Sequence, residues 1–183
     1  GGNGVIRGEE VVTINIPAGV ADGMQLSMRG KGNAAPNGGI NGDLLVLIEE
    51  QDHGTFERNG NNLYQNFFIS FPQAALGDTV EVPLLSGKAR IKIAAGTQSG
   101  QVLRLQGKGL PELNSRILPT LDRYGRSGRK GDMIVNINVW TPKNLSKEEK
   151  ELIEKMKEGE NFKPKPTKND QGFFSRVRQF FND

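Results

Sequence analysis

The 183-residue sequence contains no cysteine, which removes disulfides, thiolate zinc sites and cysteine nucleophiles from the chemistry open to these residues. It has one histidine, His53, so no pair of imidazoles can ligate a metal and no serine motif stands ready for activation; His53 reads as a loop residue. Tryptophan occurs once and tyrosine twice. No apolar run approaches the roughly 20 residues that span a bilayer, and no signal-like stretch opens the chain, so a soluble, cytoplasmic protein without membrane contact is expected. Charge of one sign is also scarce. With 24 basic and 21 acidic residues the net charge is +3, too mild to demand nucleic acid although the pI is about 9.2.

What is abundant is glycine, at 24 residues, and much of it recurs in order. Ile16 to Gly32 (IPAGVADGMQLSMRGKG) aligns without a gap to Ile93 to Gly109 (IAAGTQSGQVLRLQGKG), 77 residues later, with 8 of 17 positions identical. The identities are four glycines, three apolar residues and a lysine, which specify a backbone path and no reaction. After loops of unequal length Gly42-Asp43-Leu44-Leu45-Val46-Leu47 answers Gly131-Asp132-Met133-Ile134-Val135-Asn136, at an offset of 89. Repeats of about 80 residues favour two small tandem domains. The second repeat is preceded by strand-like sequence, Asn62 to Phe71 and Thr79 to Leu85, whereas the first has about ten residues before it. By this comparison repeat one is expected to lack its opening hairpin here.

Alternation with period two dominates. Val12, Ile14 and Ile16 alternate with Val11, Thr13 and Asn15; Ile91 and Ile93 alternate with Arg90 and Lys92; Leu26 and Met28 are matched by Leu103 and Leu105. Asp22-Gly23, Asn41-Gly42, Asn59-Gly60 and Ser86-Gly87 place turn residues between these runs. The β-rich part ends at Trp140, because Thr141-Pro142 cannot continue a ladder. Ser146, with Glu149 three residues on, opens a helix over Lys147 to Glu158 that Gly159 ends. Its apolar stripe, Leu145, Leu152, Ile153 and Met156, is narrow and needs a partner. A Lys- and Pro-rich linker follows, then Phe173, Phe174, Val177, Phe180 and Phe181 on one face of a short helical stretch.

No catalytic constellation emerges. Gly30-Lys31-Gly32 and Gly107-Lys108-Gly109 lack the spacing of a phosphate loop and end strands instead of opening helices. Asp43 and Asp132 each follow a glycine at a strand start with no second carboxylate or base nearby, which favours a structural role. An enzyme is not indicated, and neither a catalytic residue nor a metal ligand is assigned. Leu44 to Ile48, by contrast, is apolar at every position where repeat two has Asn136, so repeat one either buries both faces or offers one to another polypeptide. On the repeat comparison alone, Leu45 and Leu47 are the spare face.

Several segments together resemble one family: VVTINIPAGVADG (Val11–Gly23), RGKGN (Arg29–Asn33), GDLLVLIEE (Gly42–Glu50), FERNGNNLY (Phe56–Tyr64), AALGDTVEVP (Ala74–Pro83), TQSGQVLRLQGKG (Thr97–Gly109) and the Gly172-Phe173-Phe174 tail. They are similar to the C-terminal region of the bacterial DnaJ, or type I Hsp40, co-chaperones. The resemblance implies a mainly β fold of two tandem β-sandwich-like client-binding domains, the first incomplete, followed by a C-terminal helix. The expected boundaries are 1–51 for the remainder of domain I, 52–142 for domain II, 143–159 for the helix, and 160–183 for linker and tail. It also implies unfolded polypeptides and Hsp70 as partners. A homodimer would form through Leu152, Ile153, Met156, Phe173, Phe174 and Phe180. Carried over residue by residue, the client pocket of domain I falls on Val12, Ile14, Leu44 and Val46, one strand face away from Leu45 and Leu47. The family's J-domain and its zinc-binding cysteine module have no counterpart here, so no cofactor is expected in this chain. Zinc would belong to the full-length family member. A basic β-protein that binds nucleic acid through Arg123, Arg126, Arg129 and Lys130 is the alternative.

Overall fold

The computed structural model describes residues 8–113 and 129–166. Two compact units, Gly1–Trp140 and Thr141–Asp183, divide the chain. Among the described residues the first is mainly β, with one short α-helix and a 3-10 turn at Pro36–Gly38, and the second carries the C-terminal helix.

In the first unit β1 (Gln25–Met28) pairs antiparallel with β2 (Leu44–Leu47) as a separate two-stranded ribbon. A four-stranded sheet follows in the order β3 (Glu57–Asn59), β4 (Asn62–Ser70), β8 (Met133–Trp140), β7 (Gln101–Leu105), with β4 and β8 parallel. β5 (Asp78–Pro83) and β6 (Lys88–Ile93) form a hairpin whose Val80, Val82 and Ile93 pack on the inward residues of the sheet: Leu63 and Ile69 of β4, and Met133, Val135 and Ile137 of β8. These two layers make the core. Gln65, buried between them, donates from Nε2 to Pro83 O at 3.0 Å, so its amide is satisfied across the layers.

The repeat read from sequence is present at the level of register. Leu26 stands opposite Val46 and Met28 opposite Leu44; in repeat two Leu103 stands opposite Val135 and Leu105 opposite Met133, the same pairs shifted by 77 and 89. Gly32 N donates to Gly42 O at 2.8 Å, and Gly109 N to Gly131 O at 2.8 Å. A Cβ on Gly32 or Gly109 would fall 2.6 Å from Asp43 O or 2.4 Å from Asn61 O, so both positions need glycine for space.

Two expectations are corrected. Val11–Ile16 is not a strand. By the offset of 77 it is the counterpart of β6, and it keeps that strand's alternation, with Val12 and Ile14 half-buried, but no described residue takes the place of β5 beside it. Phe71, read as the last residue of a strand-like run, instead opens the helix α1 over Phe71–Leu76. Ser70 Oγ accepts from Gln73 N while Gln73 Oε1 accepts from Ser70 N, a capping box written in the sequence as Ser-Phe-Pro-Gln. In the second unit α2 spans Lys147–Lys157 with the expected Ser146–Glu149 box. Gly159 follows it at φ −69°, outside the left-handed region. A Cβ there would come within 3.0 Å of the Phe162 ring, so a larger residue would have to displace that side chain slightly.

Candidate client-binding face

The four pocket residues expected in repeat one lie on three short segments. Leu44 and Val46 alternate on β2 with Leu45 and Leu47, and a strand sends alternate side chains to opposite faces. Leu44, Val46 and Ile48 are half-buried, as are Leu26 and Met28 across the ribbon. Val12 and Ile14 are half-buried in the extended segment before it. The opposite face carries Leu45 and Leu47, exposed to 58% and 69%, with Ser27 and Gln25 across from them. The repeat comparison thus picked the solvent face and the family carry-over the more enclosed one.

The same register positions behave differently in the two repeats. Met133, Val135 and Ile137 of β8 are 0% exposed, whereas their counterparts Leu44, Val46 and Ile48 remain half-open. Between residues 8 and 55 no side chain is fully buried; Phe56 is the first. Apolar surface at strand spacing is therefore accessible in repeat one where repeat two has sealed it beneath β5 and β6.

Asp43 and Asp132 fix the glycine turns. Gly30 N donates to Asp43 Oδ1 at 3.0 Å and Gly107 N to Asp132 Oδ1 at 2.7 Å. Asp132 also accepts from Arg104 Nε at 2.6 Å, where repeat one has Ser27 in place of the arginine. The Gly107 amide, and after it Arg104, hold the Asp132 carboxyl below the usual carboxylate range. Because the folded-state value is depressed, this contribution is complete above the unfolded value near pH 4 and is lost as the pH falls through the folded one. Asp132→Asn is expected to lower the melting temperature at pH 7 and to approach wild type as the pH falls through the depressed folded-state value. A pH-independent gap between the two melting curves would refute this.

His53 is exposed in a loop, its ring 4.8 Å from that of Phe56. Arg129 and Lys130 continue the second-repeat edge, with Pro111 bridged to Lys130 and Glu112 N donating to Arg129 O; Arg123 and Arg126 lie outside the described residues. On α2, Leu152 and Ile153 are exposed and Met156 is half-buried, while Phe173, Phe174 and Phe180 lie outside the described residues. Among the described residues no three His, Cys, Asp or Glu side chains come together to hold a metal ion, and with no cysteine in the chain the residues present do not fit a zinc site. No helix among them is long and apolar enough to cross a membrane.

Sequence reasoning overlooked one residue that the geometry brings forward. Arg58 of β3 reaches carbonyls of the repeat-one turn, and its only signal was an arginine at a hairpin start, too common to single out.

Comparison with known proteins agrees with these observations. The family described as DnaJ C terminal domain matches residues 5–142. Chaperone protein DnaJ of Bacteroides fragilis is 51% identical over the whole of this chain, which covers 43% of that protein. The namesake from Porphyromonas gingivalis is 48% identical over 89% of this chain and 39% of its own length, and that from Salinibacter ruber 41% over 100% and 44%. The chain thus spans less than half the length of these relatives. With its twin registers, its paired glycine turns and a match across both repeats, the chain belongs to the DnaJ C-terminal domain family.

Proposed function

We propose that this chain is the client-holding part of a DnaJ-type, or Hsp40, co-chaperone: it binds extended hydrophobic segments of unfolded proteins and, within the longer protein, delivers them to Hsp70 in the cytoplasm. The observation that carries the reading is the half-open apolar face of Leu44 and Val46, flanked by Leu26 and Met28, at positions that repeat two buries completely. Val12 and Ile14 extend that face. Residues 1–51 then act as the remainder of domain I and 52–142 as domain II. A client strand lays one or two Leu, Ile or Phe side chains on the face, and at about 25 cal/mol per Å² less ordering losses a single site binds weakly.

The test is fluorescence anisotropy with a labelled apolar peptide. Val46→Asp places a charge where the client side chain sits and is expected to weaken binding at least about tenfold, with the melting temperature changed little because Val46 lies outside the buried core. Unchanged affinity would remove this face from the proposal. Affinity for RNA that collapses between low and high salt, with none for the peptide, would favour the basic-surface alternative instead.

Two such sites on one molecule raise the effective concentration for a long client, which gives the C-terminal residues 143–183 a role as dimerisation segment. The exposed Leu152 and Ile153 on α2 support this, together with the phenylalanine tail. Light scattering should find a dimer for the whole chain and a monomer for one ending at Trp140; two monomers would exclude the paired arrangement.

A further inference from the structure

Arg58 holds on to the first repeat from outside it. Its guanidinium, on a side chain 16% exposed, donates from one terminal nitrogen to Val20 O at 2.6 Å and to Glu50 Oε2 at 3.0 Å, and from the other to Gly19 O at 3.1 Å. Its Nε donates to Gly60 O at 2.9 Å in the turn that joins β3 to β4. One planar group thus ties the Pro17–Val20 turn of repeat one, the segment leaving β2 and the first hairpin of repeat two. No other side chain has five donors in a fixed fork, so no other residue type can serve all four acceptors.

The turn it grips has a counterpart with a different anchor. In repeat two the equivalent residues Gly96 and Thr97 donate their own amides to Ala74 O, at 2.9 and 3.1 Å, and so are held by α1 of the same repeat. Repeat one has no described helix in that place, and its turn is held through its carbonyls by an arginine of the next repeat. Close approach reinforces the grip. Gly19 lies so near the 111–113 segment that a Cβ there would be 2.3 Å from Pro111 O. Beside these contacts an open cleft of about 810 Å³ runs past Ala21, Met24 and Phe56, so little else fills the junction.

We propose that Arg58 is a positioning residue that sets the orientation of the repeat-one ribbon relative to the second repeat. It thereby fixes how the proposed client face of repeat one stands relative to the second repeat. The orientation itself is a property of the fold; only its consequence for clients rests on the proposed function above. A fixed orientation matters to a long segment that runs from that face across the second repeat, whereas a short peptide that fills the face alone gains nothing from it.

The experiment uses the full chain, whose lack of cysteine allows two labels to be introduced cleanly, as Ser27→Cys on β1 and Lys92→Cys on β6. Spin-label distances are measured with Arg58 present and in Arg58→Lys and Arg58→Gln. Both variants are expected to broaden a narrow distribution while the far-ultraviolet circular dichroism stays that of the folded chain. Lysine keeps the charge and lacks the fork, so its failure to rescue separates geometry from charge. Affinity for a long unfolded polypeptide should fall about five- to tenfold and that for a short apolar peptide stay within about twofold. An unchanged distance distribution in both variants overturns the proposal, as does rescue by lysine. Broadening without any client binding to the parent chain would uphold the lock and sink the client reading. Should Arg58→Gln fail to fold, Glu50→Gln removes the ion pair alone and is expected to broaden the distribution partway, and an unchanged width there, with Arg58→Lys unchanged too, refutes the lock.

Discussion

Gly131→Ala is expected to destabilise the first unit by about 3 kcal/mol or more, the upper end of what overpacking costs, and to lower the melting temperature by about 6–12 °C. A Cβ at Gly131 would lie 2.0 Å from Asn61 O and 2.3 Å from Asn61 C. Both are backbone atoms, so no side chain can swing aside. The strain falls where the parallel pairing of β4 and β8 begins: Leu63 N donates to Asp132 O at 2.9 Å and Asp132 N to Asn62 Oδ1 at 2.8 Å. Pushing the strands apart there loosens the whole ladder from Leu63–Met133 onward. The control is built into the sequence. Gly42 occupies the same place in repeat one, and a Cβ there would come no closer than 3.8 Å to another atom, Asn33 O. In this chain Gly42→Ala should cost less than about 1 kcal/mol. Thermal denaturation of the two variants side by side decides the matter, and equal losses would mean that the close approach at Asn61 is relieved at no cost.

Ile137→Ala should cost about 3–5 kcal/mol, enough to leave a marginal domain partly unfolded near 37 °C. Ile137 is 0% exposed, is flanked on its own strand by Val135 and sits in register with Phe67 of β4 and Gln101 of β7. Removing its branched side chain takes away the transfer free energy and leaves a void between two layers of backbone that cannot collapse freely. Ile48, its repeat-one equivalent, is half-buried, so Ile48→Ala should cost well under half as much. Urea denaturation followed by circular dichroism measures both, and a comparable loss from Ile48→Ala would show that repeat one carries as much of the core as repeat two.

The tandem was legible because glycine matches record backbone paths. An 8-of-17 identity predicted that the two repeats follow equivalent strand paths; the partners and the register, Leu26 with Val46 and Leu103 with Val135, came from the structure. The C-terminal helix was legible for a similar reason, since Ser146 and Glu149 satisfy each other's backbone amides whatever lies around them. Val11–Ile16 misled because alternation tells which side chains turn inward and says nothing about whether a neighbouring strand is there to complete the ladder. α1 was missed although Ser70 and Gln73 spell the same signature, because Phe71 read as the end of the phenylalanine-rich strand before it and the few residues left before Thr79 are too short to show a helical period. The face of β2 was ambiguous for a reason of its own: with Leu, Leu, Val and Leu in a row, period two has no polar residue to mark which side meets water. Arg58 was invisible because its four acceptors come from three stretches of chain that only the fold assembles.

The Arg104–Asp132 pair looks dispensable, an exposed arginine on a carboxylate whose stabilising effect at the surface is well below about 1 kcal/mol. Its importance lies in bookkeeping between look-alike strands. Were β1 to dock on β8 in place of β7, the hydrophobic partners would still match, yet Ser27 would stand where Arg104 belongs and Asp132 would lose its cation. In two repeats whose apolar partners match position for position, this ion pair is a contact that repeat two makes and repeat one, with Ser27 in that place, does not.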